Sequence, residues 1–271
     1  KILIANKESI ICGWRLIRNI AKKNKTKIIP VDSEHFSISQ LIQHNKKNEI
    51  EKIFLTASGG PFLNFKMSQF KNVRPNHALV HPKWKMGKKI TIDSATMMNK
   101  LFEIIEAKNI FKTSYKNLKI LIHPNSYVHA LVKFNNGITK ILLHEPDMKI
   151  PIHNTLYNFE NLPIKNKPIN FDILNNLNFQ SVDLKKFPLI KILNILPKKN
   201  SLFETALISI NDYFVSKFIN KKISYKKLID LINYNAHNRI FLNLRKKTPK
   251  NIRDIYKIRN YVYSKLNNLG I

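Results

Sequence analysis

Strand-length apolar runs alternate with helix-period segments through the first 60 residues, and few architectures accommodate that alternation. Residues 1–5, 27–31 and 52–55 read as buried strands. Residues 9–20 and about 36–44 read as helices, the first with Ser9 as a cap. Strands separated by helices pair in parallel, so the N-terminal half is expected to be an α/β unit. In such units the chemistry collects where strands end, and the strand ends of this chain carry unusual residues.

The strand at 27–31 runs into Asp32-Ser33-Glu34-His35. On an extended chain, side chains two apart point the same way, so Asp32 and Glu34 should project together. Two convergent carboxylates repel unless a cation lies between them. Hard ions such as Mg²⁺ or Mn²⁺ suit oxygen ligands. A solvated strand end would carry the same pair with no ion. The strand at 52–55 opens into Thr56-Ala57-Ser58-Gly59-Gly60-Pro61-Phe62. Backbone N–H groups in such a loop can cradle phosphate, with the serine hydroxyl adding a donor, although a plain turn reads the same way. Next comes His81-Pro82-Lys83-Trp84-Lys85-Met86-Gly87-Lys88, where Trp84 falls on a loop, as a lid or as a packing anchor.

Residues 89–92 read as a further strand delivering Asp93 and Ser94, either of which can cap a helix running to about Ile110. Asn99 and Glu103 are four apart on that helix and share a face, with Lys100 alongside. Ser94, Asn99 and Lys100 suit a phosphate, and Glu103 can be a third metal carboxylate.

The remaining chain is simpler. A strand at 118–122 precedes a hairpin, 130–134 and 138–143, that turns at Asn135-Asn136-Gly137. Periodicity fades from about 166 to 191. Helices then dominate: one over 201–219 with Leu202, Ala206, Ile210 and Phe214 on its apolar face, one opened by Ser224, and one opened by Thr248-Pro249 and closed by Gly270. They read as a small bundle without catalytic groups. Zinc spacings, a P-loop and G-x-G-x-x-G are all missing from the sequence.

Composition excludes some classes. No apolar run approaches the roughly 20 residues that span a membrane. Cys12 is the only cysteine, which excludes an intrachain disulfide and suits a reducing cytoplasm. The 47 Lys+Arg against 17 Asp+Glu give a net charge of +30, which invites a nucleic-acid reading. The lysines are scattered among Asn and Ile, all three encoded mainly by A and T, so the charge reads as compositional drift. Only 6 glycines remain, and those are expected where no other residue fits.

The ordered series of motifs carries more than any single one. Asn6-Lys7-Glu8-Ser9, Val31-Asp32-Ser33-Glu34-His35, Thr56 to Phe62, His-Pro-x-Trp-x-Met-Gly-x-Lys-Ile from His81, Asp93-Ser94-Ala95-Thr96-Met97-Met98-Asn99-Lys100, Ile122-His123-Pro124-x-Ser126 and Glu145-Pro146-Asp147-Met148 together resemble the 1-deoxy-D-xylulose 5-phosphate reductoisomerase family. The resemblance is dense to about residue 160 and faint beyond, where Thr205-Ala206-Leu207 and Asn211-Asp212 fit the pattern.

The resemblance implies an NADPH- and divalent-metal-dependent enzyme that isomerises and reduces 1-deoxy-D-xylulose 5-phosphate to 2-C-methyl-D-erythritol 4-phosphate, an isoprenoid precursor. It implies Asp32, Glu34 and Glu103 as ligands of Mg²⁺ or Mn²⁺, and Lys7 and Ser33 at the oxygenated end of the substrate. Ser58, Ser94, Asn99 and Lys100 would take the phosphate, with His81 nearby and Trp84 on a closing flap. Asn6, Glu8 and Gly87 would touch NADPH. A cytoplasmic homodimer is implied, with no membrane or nucleic-acid partner. The expected organisation is the end of a Rossmann-like dinucleotide domain (1–32), an α/β catalytic domain with a mixed sheet (33–165), a linker (166–193) and a helical domain (194–271). The family's Gly-rich NADPH domain is expected to precede Lys1, so residues 1–271 alone are expected to hold NADPH hardly at all. The family usually has glycine where Leu101 stands, and the added side chain is expected to crowd the phosphate side. A metal-dependent sugar-phosphate aldolase or isomerase without nicotinamide is the alternative. A basic nucleic-acid-binding protein is a weaker one, because it gives the carboxylates no role.

Overall fold

In the computed structural model, which describes residues 1–84, 86–158, 160 and 162–268, the strands form two sheets. β1 (Ile2–Ile4) pairs in parallel with β2 (Ile28–Pro30) through the crossover helix α1 (Lys7–Lys23). The larger sheet has the order β6-β5-β3-β4-β7. In it β3 (Ile50–Ala57) and β4 (Leu118–Ile122) run parallel, while β5 (Val128–Phe134), β6 (Thr139–Leu143) and β7 (Gln180–Ser181) are antiparallel to their neighbours. The architecture is therefore α/β with a mixed sheet.

The helices are α2 (Ser33–Leu41), α3 (Pro75–Ala78), α4 (Lys88–Ala95), α5 (Met98–Phe111), α6 (Lys149–Leu156), α7 (Phe171–Asn175), α8 (Leu202–Ile219), α9 (Tyr225–His237), α10 (Arg239–Leu242) and α11 (Ile252–Asn267). Two of them cover one face of the large sheet. Ile38 and Leu41 of α2 and Ile104 and Ala107 of α5 pack on Ile53, Leu55, Leu118, Ala130 and Val132. Ile53 and Leu55 are two apart, as a strand with one face turned to helices requires. A larger core joins α1, α4 and α5 to α8, α9 and α11 through Ile11, Ile92, Met98, Leu101, Phe203, Ile210, Phe214, Leu228 and Val262. Among the described residues no helix is long and apolar enough to cross a membrane.

Several local expectations are corrected. Residues 89–92 are helical, within α4, rather than a strand. Gly87 occupies the N-cap position, Thr91 Oγ1 donates to Gly87 O at 2.8 Å, and Lys89 pairs with Asp93 one turn on. Those contacts, with burial of Ile92 and Ala95, outweigh the strand preference of Ile-Thr-Ile. Asp93 and Ser94 thus lie inside a helix and do not cap α5. The chain turns between the two helices at Met97, which is left-handed at φ 65°. Asn6, not Ser9, caps α1, its side chain accepting the Ser9 N–H. Asn251, not Thr248-Pro249, caps α11. Gly270 lies outside the described residues. Ser224 caps α9, which starts where expected, and Ser201 caps α8 rather than opening it.

The glycine expectation holds in part. Gly59, Gly60 and Gly137 have φ of 84°, 66° and 87°, where a side chain is strained. Gly87 has open space around it, and Gly13 meets only ordinary contacts.

Candidate active site

Parallel strands deliver the site at their C-terminal ends, where open α/β sheets bind ligands. β1 leads to Asn6 and Lys7, β2 to Asp32, and β3 to Ser58. The three carboxylates assemble differently from the expected strand geometry. Asp32 is the N-cap of α2 and Glu34 lies in its first turn, so a helix start, not an extended chain, brings them together. Glu103 arrives from α5. One oxygen from each of Asp32, Glu34 and Glu103 lies within 4.8 Å of the others.

Two lysines are interleaved with these acids. Lys7 Nζ donates to Asp32 at 2.5 Å and to Glu106 at 3.2 Å. Lys100 Nζ donates to Glu34 at 2.5 Å and also to Glu103. Asn99 Nδ2 donates to Glu103 at 2.5 Å, confirming the shared helix face. Burial works to lower Lys7, but Asp32, Glu106 and Glu103 outweigh it and hold its pKa well above the usual value. Burial likewise works against the charge on Lys100, and Glu103 and Glu34 raise it instead. Burial would raise Asp32, yet the Lys7 ammonium holds it well below the carboxylate range. Glu34 is pushed up to about 7, first by burial and then by the Glu103 charge. The charges of Glu103 and Asp32 both work to raise Glu34, and a divalent cation among the three carboxylates would offset that repulsion. The donor set is all oxygen, which fits Mg²⁺ or Mn²⁺.

The phosphate-type residues lie beside this cluster. Gly60 lets the Ser58 loop approach α4 closely: a Cβ there would sit 3.1 Å from Ser94 O and 3.2 Å from Ala95 Cα. Ser58 Oγ accepts the Gly60 N–H at 3.1 Å and lies 3.0 Å from His81 Nε2. His81 Nδ1 accepts the N–H groups of Trp84 at 2.8 Å and Lys83 at 3.1 Å. An Nδ1 that accepts places the neutral ring's proton on Nε2, so His81 donates to Ser58 and leaves the serine proton free for a ligand. Burial, followed by the Lys100 charge, lowers His81 to about 4, which keeps it neutral. Trp84 is half-buried, edge-on to His129 at 6.1 Å, and His129 stacks on His144 at 3.8 Å.

One cavity of 390 Å³ joins these groups. Asn6, Lys7, Glu8, Asp32, Ser33, Glu34 and Ser58 line it, as do His81, Trp84, Ser94, Asn99, Lys100 and Glu103. Gly87 does not line it; it caps α4 just beyond the Trp84 loop. Leu101 is fully buried in the apolar core and leaves the phosphate side uncrowded. A larger groove of 820 Å³ along Phe62, Phe65 and Val73 has no carboxylate or lysine in its lining.

Sequence reasoning missed Glu106 and His35, which are fully buried behind the carboxylates and 3.4 Å apart at their nearest polar atoms. The signal was available, since Glu106 follows Glu103 by three on an otherwise apolar helix. It also missed Lys89, Ser126 and His129, all of which line the cavity.

The fold and site define a class: an α/β protein that gathers a hard-metal carboxylate cluster and a phosphate-type loop in one cavity. Comparison narrows it. The family profiles described as 1-deoxy-D-xylulose 5-phosphate reductoisomerase C-terminal domain and DXP reductoisomerase C-terminal domain match residues 28–111 and 143–264. The reductoisomerase of Pelagibacter ubique is 52% identical over the whole chain, which spans 70% of that protein. That of Clostridium novyi is 39% identical over 98% of the chain and 69% of its own length. A crystal structure of DOX-P reductoisomerase in complex with NADPH, fosmidomycin and magnesium matches the whole chain and 71% of its own, at TM-score 0.88 and 32% identity. The chain belongs to the 1-deoxy-D-xylulose 5-phosphate reductoisomerase family.

Proposed function

We propose that the chain supplies the metal- and substrate-binding part of an NADPH-dependent enzyme. The reaction is conversion of 1-deoxy-D-xylulose 5-phosphate to 2-C-methyl-D-erythritol 4-phosphate, a cytoplasmic step toward isoprenoid precursors. The observation that carries this reading is the meeting of Asp32, Glu34 and Glu103 with Ser58, Ser94 and Asn99 in one cavity.

Asp32, Glu34 and Glu103 would hold Mg²⁺ or Mn²⁺, which when bound polarises the substrate ketone and acidifies its neighbouring hydroxyl. Lys7 and Ser33 face the oxygenated end of the sugar. Ser58, Ser94, Asn99 and Lys100 take the phosphate, Asn99 and Lys100 being bonded also to Glu103 and Glu34. Grip on the remote phosphate orients the reacting carbons. The Trp84 loop closes over them and excludes water. Asn6 and Glu8, both exposed at the start of α1, are edge contacts for NADPH, and Gly87 joins them at the start of α4.

A homodimer belongs to the same reading. Among the described residues β6 pairs only with β5, and it exposes Ile141 and Leu143, an apolar edge that a second copy would cover. The test is NADPH oxidation by the whole protein with 1-deoxy-D-xylulose 5-phosphate and Mg²⁺ or Mn²⁺. Metal-dependent consumption supports the reading. Turnover of the phosphosugar without NADPH loss would make the protein an aldolase or isomerase instead.

A further inference from the structure

α8 places no side chain in the cavity, yet two adjacent residues of it grip a helix that does. Lys89, the second residue of α4, lies 2.8 Å from Asp93 one turn along and 3.0 Å from Asp212 of α8. It also reaches to 3.9 Å from Glu8 at the start of α1. Asp93 is 2% exposed, and its Oδ1 accepts Asn211 Nδ2 at 2.8 Å. Asn211 is fully buried. Neighbouring residues of α8 therefore hold α4 at two points, Asn211 through Asp93 and Asp212 through Lys89.

What α4 carries makes the grip functional. Ser94 follows Asp93 directly and lines the cavity. The backbone at Ser94 and Ala95 is the surface on which the Gly60 turn rests. The helix also starts where the Trp84 loop ends. A small rotation of α4 would thus move Ser94, the Ser58 loop and the root of the Trp84 loop together. Apolar packing alone could hold a helix against α8, but a buried carboxylate is costly unless both its oxygens are satisfied. Here Asn211 satisfies Oδ1 and Lys89 satisfies Oδ2.

We propose that Asn211 and Asp212 are positioning residues that clamp α4 and thereby set the phosphate end of the site. The inference rests on the reductoisomerase reading. It gives the C-terminal helices a part in substrate recognition without any contact to substrate.

The test uses Asp212→Asn, Lys89→Met and their double variant in the whole protein. Kinetics are measured with 1-deoxy-D-xylulose 5-phosphate and with dephosphorylated 1-deoxy-D-xylulose, and Tm is recorded alongside. Loss of a charge-assisted contact predicts a KM for the phosphosugar raised about tenfold in each single variant. For Asp212→Asn, which lies outside the cavity, kcat/KM for the dephosphorylated sugar should stay within about twofold, and the double variant should be no worse than the poorer single, as for residues sharing one contact. Asp212→Glu should recover most of the loss. Equal losses on both sugars, multiplying losses in the double variant, or an unchanged KM would overturn the clamp. Should Asp212→Asn fail to fold, Asp212→Ser carries the test, the Asp212 side chain being 32% exposed and outside the cavity. If the unaltered protein shows no NADPH-dependent turnover, the reductoisomerase reading fails. The clamp is then read from calorimetric binding of the phosphosugar with the same tenfold expectation.

Discussion

The Lys100 ammonium lies 2.5 Å from Glu34 Oε1, among the carboxylates rather than out beside the serines. Its charge holds Glu34 and Glu103 together against their mutual repulsion. Lys100 is therefore expected to serve the metal end of the cavity as much as the phosphate end. Lys100→Met should lower kcat/KM by more than about tenfold on both phosphorylated and dephosphorylated sugar. Ser94→Ala should affect only the phosphorylated one. A Lys100→Met defect confined to the phosphosugar would return the residue to a purely phosphate role.

Removing a metal carboxylate is the sharpest test of the cluster. Outer-shell partners of metal ligands are commonly worth 10–100-fold in affinity. Direct ligands should exceed that, so Glu103→Gln and Glu34→Gln are expected to weaken Mn²⁺ binding by more than about 100-fold. Calorimetry on the folded variants measures this directly. Unchanged Mn²⁺ affinity in Glu34→Gln would remove Glu34 from the ligand set.

Much of this was legible in the residues. β4 and the Asn135-Asn136-Gly137 hairpin fall where periodicity and turn chemistry place them. Three left-handed glycines survive in a glycine-poor chain because an L side chain is strained at their positive φ, and at Gly59 and Gly60 a Cβ would also meet close neighbours. The carboxylates converge for a reason other than strand geometry. Asp32 and Glu34 were expected to converge on a strand and instead converge across a helix start. A helix cap and a strand end share much of their local sequence, and packing of α2 on the sheet separates them. α4 was hidden for a related reason. Its Lys-Lys-Ile-Thr-Ile run favours strand, and the contacts that override it include burial of Ile92 and Ala95 and a pairing of Lys89 with Asp212, more than 100 positions away. Met97 in the left-handed region carries no sequence signal at all.

Gly60 gives a stability prediction with a functional side. Gly60→Ala puts a Cβ 3.1 Å from Ser94 O on a backbone already at φ 66°. Left-handed strain of about 1–3 kcal/mol is expected. The loop can relieve the contact only by moving away from Ser94, so phosphosugar affinity should fall along with Tm. A lower Tm with unaltered affinity would show that the loop does not need to rest on α4.

Glu204 gives a pH prediction away from the site. It closes the capping box of α8, accepting from the Ser201 N–H at 3.0 Å and the Ser201 hydroxyl at 2.5 Å, and is fully buried. Burial pushes its carboxyl up to about 7. A pKa raised on folding contributes stability that is complete below the unfolded value near 4.5. It declines as pH rises and is gone above about 7. The change approaches about 3 kcal/mol. Glu204→Gln should flatten the dependence of Tm on pH across this interval. An equally steep profile in that variant would assign it to another group.

His81 allows the most direct check of the hydrogen-bond order around Ser58. Two backbone N–H groups occupy Nδ1, so a proton there would face two donors, and burial further disfavours the imidazolium. The ring should therefore remain neutral with its proton on Nε2 between pH 5 and 8, titrating only near 4. Nitrogen NMR of the imidazole reads both the tautomer and the midpoint. In this state His81 donates to Ser58 Oγ and turns the serine proton toward the phosphate. His81→Phe removes that donor and should raise KM for the phosphosugar about tenfold. It also frees the Trp84 N–H, so kcat should fall as the loop loses its anchor. A ring that titrates near 6.5, or one protonated on Nδ1, would break the chain of donors from Trp84 through His81 to Ser58.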